Sequence, residues 1–129
     1  MYIRRFLLPA IAMVASTPAI TNAAVPLSAE AEKALAGRTI GEPVSCVQLN
    51  RIKGTRIIDQ TAIIYRQSSR VWYLNQPSQG GCRSLQANRA LVMKSDGRIC
   101  EHDRVTIAHM TSLLPIDECE LSRFVPFTK

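Results

Sequence analysis

The stretch TRIIDQTAIIYRQSSRVWYLN, residues 55–75, decides the fold of this chain. β-Branched and aromatic residues are concentrated in three short runs, a composition that is typical of strands. These runs are residues 55–58, 61–66 and 71–75. Asp59 and Gln60 separate the first two runs, with Asp59 as the expected turn former, and a polar segment at 67–70 precedes the third. We therefore predict two successive hairpins.

The pairing of the second hairpin follows if its turn closes evenly. Tyr65 then lies opposite Trp72, and Ile63 lies opposite Leu74. The other face carries a second set of side chains: Ile64, Arg66, Val71 and Tyr73. Because both faces are substantially apolar, we expect cover on both sides. A closed or half-closed barrel, a covering loop or a dimer would supply it.

The sequence around this stretch adds short strands and one helix. Further strand patterns occur at residues 44–52, 90–94, 99–100 and 104–108, with a last extended piece at 121–127. The alanine-rich run at 24–37 predicts a helix capped by Ser28 and ended by Gly37. The predicted fold is mainly β, a small antiparallel sheet or partly closed barrel of about five to six strands with a short N-terminal helix.

Length and composition restrict the class of protein. The chain has 129 residues, of which 47% are hydrophobic and 20% are charged. This length suits one small domain and excludes a complete (β/α)₈ barrel, which needs about 250 residues. The modest charged fraction also argues against a disordered chain.

The N-terminus has the pattern of a secretory signal. Arg4 and Arg5 precede an apolar run at 6–15, which is shorter than the roughly 20 residues of a transmembrane helix. Thr-Asn-Ala at 21–23 fits a cleavage site. The expected organisation is a signal peptide at 1–23, an arm or short helix at 24–42 and a disulfide-bonded β domain at 43–129. The mature protein would be periplasmic or secreted and without a membrane span, and a short N-terminal membrane anchor is the alternative.

The chain has four cysteines, Cys46, Cys82, Cys100 and Cys119. An even number in a short exported chain predicts two disulfides, and four cysteines allow three pairings. Of these pairings we expect Cys82–Cys100 and Cys46–Cys119, the shorter loop contributing about 3 kcal/mol of stability. Closely spaced cysteine pairs, which zinc sites and redox motifs need, do not occur in the sequence.

Positive charge is concentrated in the middle of the chain. Residues 43–98 contain nine basic and two acidic residues, a net +7. Arginine forks suit phosphate and carboxylate groups, which makes Arg56, Arg66 and Arg70 candidate residues for an anionic envelope component such as lipopolysaccharide. Nucleic acid is disfavoured because aromatic residues are only 5% of the chain. The alternative is that these arginines are solvent-facing strand positions that discourage aggregation.

One short segment contains residues of the types that often act in catalysis. These residues are His102, Asp103 and His109. Two histidines could form the acid/base pair of a small hydrolase, or with Asp103 a metal site. On a strand, however, positions 102 and 109 face opposite sides. A polar surface loop in which Asp103 caps a turn or pairs with an arginine is therefore favoured, and we expect no metal and no cofactor.

Spaced pieces of the chain resemble a family of short exported bacterial proteins of unknown function. The pieces extend over nearly all of the sequence after Pro43: Cys46 with Ile52, Thr55-Arg56-Ile57-Ile58-Asp59, Ile64-Tyr65-Arg66, Tyr73-Leu74-Asn75, Gly81-Cys82, Ile99-Cys100 with Asp103, and Cys119-x-Leu-x-x-Phe-x-Pro ending at Pro126. Ser122 stands where this resemblance leads us to expect glycine. The resemblance implies one disulfide-containing domain and no particular activity.

These observations favour a non-catalytic exported β module with a binding or structural role. Its partner would be a periplasmic protein or an anionic envelope component. An inhibitor of a secreted enzyme is a variant of this hypothesis, and a polyanion binder is an alternative to it. The small hydrolase that uses His102 and His109 is the hypothesis from another class.

Overall fold

The computed structural model describes residues 11–15, 25–93 and 96–129. Its regular elements are one α-helix and ten strands: α1 Ala29–Leu35, β1 Thr39–Ile40, β2 Cys46–Gln48, β3 Gly54–Asp59, β4 Ala62–Arg66, β5 Val71–Asn75, β6 Arg89–Met93, β7 Arg98–Cys100, β8 Arg104–His109, β9 Pro115–Glu120 and β10 Val125–Thr128. The predicted mainly β class with a short N-terminal helix is therefore confirmed.

The strands form three antiparallel sheets rather than a closed barrel. A five-stranded sheet has the order β1-β10-β5-β4-β3, a three-stranded sheet has the order β6-β8-β9, and β2 pairs with β7. The two hairpins predicted from residues 55–75 form the centre and one edge of the large sheet. On the other side of β5 lies β10, the last strand of the chain, and β1, which follows the helix, forms the outer edge.

The register of the second hairpin differs from the prediction by one residue. Tyr65 lies opposite Tyr73, not opposite Trp72. The turn closes unevenly because the N–H of Gln67 donates to the carbonyl of Val71 at 3.1 Å. A shift of one residue transfers side chains to the other face of a strand. Trp72 therefore lies on the opposite face from Tyr65.

Both faces of the large sheet are covered, as the apolar pattern predicts. One face packs against the two smaller sheets, where Tyr65 is fully buried and its ring meets Phe124 edge-on at 5.5 Å. The other face packs against α1, whose buried Ala31 and Leu35 belong to a second cluster with Ile64. Elements of the same chain supply the cover, so neither a barrel nor a dimer is needed for it.

The helix is shorter than the predicted span of 24–37, but its predicted boundary residues act as expected. The N-cap hydroxyl of Ser28 accepts the N–H of Ala31 at 3.1 Å. Gly37, with a φ of 78°, follows the helix in the left-handed conformation that favours glycine. The described residues before Ser28 are not helical, because an N-cap residue marks the start of a helix and the predicted span included residues that precede it.

Other strand predictions are confirmed in part. The expected strand at 44–52 contains only Cys46–Gln48, followed by a 3₁₀ turn at Leu49–Arg51. The sequence does not predict the strand β9, because five of its six residues are exposed, three are acidic, and they lack an alternating apolar pattern. Backbone pairing with β8 holds it in place as an edge strand.

The predicted disulfide pairing is wrong. The structure joins Cys46 to Cys100 and Cys82 to Cys119. Strand pairing explains the difference, because β2 and β7 place Cys46 directly opposite Cys100. The unpredicted strand β9 then carries Cys119 to the loop that contains Cys82.

The predicted signal peptide falls largely outside the described residues. Of its span, only residues 11–15 are described, and they are exposed and form no helix or strand. Within the described part of the chain, no helix is long and apolar enough to cross a membrane.

Candidate functional site

The structure does not bring His102 and His109 together. His102 lies in the turn before β8, and His109 is the last residue of that strand. A strand rises about 3.3 Å per residue, so β8 alone separates the Cα atoms of Arg104 and His109 by about 16 Å, and His102 lies in the turn at the Arg104 end. A single substrate bond cannot lie within reach of both imidazoles. Among the described residues, no group of three histidine, cysteine or carboxylate side chains could hold a metal ion.

The imidazole of His102 lies between two carboxylates. Its Nδ1 is 2.6 Å from Oε1 of Glu120, and its Nε2 is 3.5 Å from Oε1 of Glu101. The hydrogen bond with Glu120, followed by the charges of Glu101 and Glu120, raises the pKa of His102 above 6.5. Arg123 extends the network, with its Nε 3.5 Å from Glu101. Both ring nitrogens are therefore engaged in contacts that favour the charged form.

Asp103 closes the turn between β7 and β8. Its carboxylate accepts the N–H of Cys100 at 2.8 Å, and its own N–H donates to the carbonyl of Cys100 at 3.1 Å. The carbonyl of Asp103 accepts the N–H of Leu121 at 2.8 Å. These bonds give Asp103 the turn-capping role that the sequence favours over catalysis.

His102 also borders a cleft of about 710 Å³. Two further residues of this cleft, Ser78 and Gln79, share with His102 a positive φ, which non-glycine residues rarely adopt. The sequence carries no signal for this strain, because serine and glutamine have no special preference for that conformation.

The cleft contains Ser122, the residue where glycine was expected. Its N–H donates to Oδ1 of the buried Asn75, whose amide donates to the Ser122 carbonyl at 2.7 Å. The Ser122 hydroxyl donates to the carbonyl of Gln76 at 2.6 Å. The hydroxyl is thus directed at the main chain, and the closing turn is clamped to the end of β5.

A second candidate site lies on the helix-covered side of the large sheet. The pairing of β3 with β4 places Arg56 opposite Ile64, and Gly54 opposite Arg66. Arg56 and Arg66 are therefore diagonal neighbours, a relation that separates positions by about 7–8 Å. Both arginines are exposed.

Glycine at position 54 makes room for one of these arginines. A Cβ atom at Gly54 would lie 2.9 Å from Nη2 of Arg66. The guanidinium of Arg66 therefore lies across the backbone of the neighbouring strand, close to the edge where Arg56 stands.

Trp72 lies on the other side of Arg66, as its partner on β5. The guanidinium carbon of Arg38 is 3.4 Å from the centroid of the Trp72 ring, a cation–π contact. Arg38 also donates to the carbonyls of Ser69 at 3.0 Å and Arg70 at 3.4 Å. We call the surface formed by Arg38, Arg56, Arg66 and Trp72 the arginine face, with Arg70 in the turn at its rim.

Sequence reasoning identified three of these arginines but missed Arg38. It stands in the arm that precedes the basic segment, and no local pattern links it to Trp72. The predicted register also turned Trp72 away from the face that carries Arg66. The ion pairs formed by the described residues involve His102, Arg104 and Arg123 and no residue of the arginine face.

Comparison with known protein families supports one part of the resemblance, a family of unknown function that extends over nearly the whole chain. A family model described as a family of unknown function, DUF6491, matches residues 3–128, so the chain belongs to this family. No curated protein and no solved structure matches the chain.

Proposed function

We propose that this member of the DUF6491 family is an exported, non-catalytic binding module. The observation that carries the proposal is that all four cysteines are engaged in two disulfides. Disulfides persist in oxidising compartments, and small exported domains use them to supplement a limited core. We therefore assign the protein to the periplasm or the secreted fraction, with residues 1–23 as the removed signal.

The geometry of the candidate catalytic residues supports binding over chemistry. Both nitrogens of His102 face carboxylates, Asp103 is used in a turn, and His109 lies at the far end of β8. Nδ1 of His109 is 3.2 Å from the guanidinium of Arg89, away from the other histidine. A general base needs a free acceptor within reach of the proton that it removes.

The partner proposed for this module is a periplasmic protein or an anionic envelope component. A rigid framework suits either, since little order has to be gained when a preformed surface binds. The arginine face specifically favours the polyanion alternative, because Arg56 and Arg66 are exposed neighbours on one sheet and the half-buried Arg38 is held over Trp72 beside them.

Export is tested by expressing the full chain and separating periplasm from cytosol. We expect the protein in the periplasm, shortened by the signal segment and without free thiols. Full-length protein retained in the cytosol with reduced cysteines would contradict the proposal. A hydrolytic activity of the purified protein that disappears in the H102Q/H109Q variant would contradict its non-catalytic part.

A further inference from the structure

We infer that the arginine face binds the phosphate groups of a soluble polyanionic chain. This inference rests on the proposed binding function and assigns it a surface and a ligand class. The argument depends on how Arg38, Arg56 and Arg66 are held, on their charge and on the state of the Trp72 ring.

Arg38 is a preorganised anion ligand. Two main-chain carbonyls and the Trp72 ring hold its guanidinium, so little side-chain freedom remains to be lost on binding. Guanidinium has five N–H donors, and the contacts with Ser69 and Arg70 use only some of them. The others remain for a ligand.

Arg66 and Arg56 continue the line of positive charge toward the sheet edge. Trp72, Arg66 and Gly54 are successive cross-strand partners, and Arg56 is the next residue on that face of β3. No carboxylate among the described residues forms an ion pair with Arg38, Arg56 or Arg66. The positive charge is therefore available to a ligand instead of being neutralised within the chain.

Phosphate is the anion that best fits neighbouring guanidinium forks. Each fork can donate two parallel hydrogen bonds to oxygens of one phosphate. Neighbouring guanidinium groups can bind successive phosphate groups of one polyphosphate chain. A row of arginines therefore suits a polymer of phosphates better than it suits a single phosphate ion.

The burial of the Trp72 ring favours a soluble polyanion over a bilayer surface as the ligand. Membrane-surface binding commonly inserts aromatic or aliphatic side chains below the headgroups. Here the indole is half-buried against the helix cluster and covered by Arg38. The only tryptophan of the protein is thus unavailable for insertion, while its ring reports directly on Arg38.

The test is a titration of the full mature protein with short-chain inorganic polyphosphate at low salt, followed by Trp72 fluorescence. We expect a saturable change in emission and an affinity that falls with salt. The R56Q/R66Q variant should bind at least about tenfold more weakly, as expected when charge-assisted hydrogen bonds are lost. Its slope of log affinity against log salt should decrease by about 0.7 per phosphate contact.

The matched control is R83Q/R98Q, which removes the same charge at two exposed positions outside the arginine face. Compared at about 0.15 M salt, where charges more than about 8 Å from the ligand are largely screened, it should bind within about twofold of the wild type, because local geometry, not net charge, carries the inference. Near-UV circular dichroism would verify that both variants are folded.

Three results would overturn the inference. They are no binding of polyphosphate at low salt, equal weakening in the two double variants, and binding only to phosphatidylglycerol vesicles. The last result would identify a lipid surface as the ligand. Each leaves the compartment and the disulfides unaffected, so failure here is distinguishable from failure of the proposed function.

Discussion

The carboxylates of Glu101 and Glu120 reach His102 from the two sides of its imidazole. Because the folded pKa of His102 is raised, protonation stabilises the fold. This contribution is fully present below the unfolded pKa of about 6.5 and is lost as pH rises through the raised folded pKa. The residue therefore acts as a pH-dependent link between the turn before β8 and the strand β9.

The E120Q variant tests this link at the level of one residue. Removing the carboxylate removes the largest cause of the shift, so the midpoint of His102 should move toward its ordinary value of about 6.5. NMR observation of the imidazole C–H signals during a pH titration measures it. The conservative variant E120D, which keeps the charge, should retain a raised midpoint. Identical midpoints in wild type and E120Q would show that Glu120 does not hold the imidazole.

At the scale of elements, Ser28 and Asp59 connect the helix to the first hairpin. Asp59 accepts the N–H of Thr61 at 2.8 Å, as a turn-forming aspartate does, and also accepts the Ser28 hydroxyl. Burial raises the pKa of Asp59, but hydrogen bonds from Ser28, Thr61 and the backbone of Ala62 outweigh it and lower the pKa below 3.8. One carboxylate therefore fixes both the turn and the start of α1.

The S28A variant should lose this connection. Loss of an N-cap costs about 1 kcal/mol, and here Asp59 also loses a donor, so a loss of about 1–2 kcal/mol in the free energy of unfolding is expected. Urea unfolding followed by circular dichroism measures it. S69A is the control, because Ser69 is exposed and contributes only its main-chain carbonyl to Arg38. Equal stability of the two variants would contradict the anchoring role.

At the scale of the whole molecule, the two disulfides tie together elements that are distant in sequence. Cys46 and Cys100 are 54 residues apart, and Cys82 and Cys119 are 37 apart. Cys82 and Cys119 also lie inside the core cluster between the sheets. The strands β2 and β7 pair over only three residues and so share few backbone hydrogen bonds. The Cys46–Cys100 disulfide supplements this short pairing.

Removing either bridge should destabilise the fold. C46A/C100A and C82A/C119A should each lower the free energy of unfolding by about 2–5 kcal/mol, because the unfolded chain gains freedom. Chemical denaturation measures the loss, and peptide mapping without reductant should show the remaining bridge intact. The C82A/C100A variant compares the two pairings directly. With the pairing in the structure it loses both bridges. With the pairing predicted from sequence it would lose only the Cys82–Cys100 bridge. A native Cys46–Cys119 bridge in that variant would contradict the pairing in the structure.

Much of the large sheet could be predicted because its signals are local. The strands at residues 55–75, the turn at Asp59 and the cap at Ser28 follow from side-chain shape and backbone preference within a few residues. The register around Gln67 could not be predicted in this way, because one main-chain hydrogen bond decides between an even and an uneven turn. The strand β9 also lacked a local signal, since its position depends on an edge offered by β8.

By itself the sequence determined a mainly β domain with two disulfides, apolar strands covered on both faces and a basic central segment. These properties depend on composition and short-range pattern. Only the tertiary structure decided which cysteines pair, that His102 and His109 lie apart, and that Arg38 joins Arg66 around Trp72. The physical reason is that these relations depend on strand register and on chain segments far apart in sequence, where a shift of one residue changes which side chains meet.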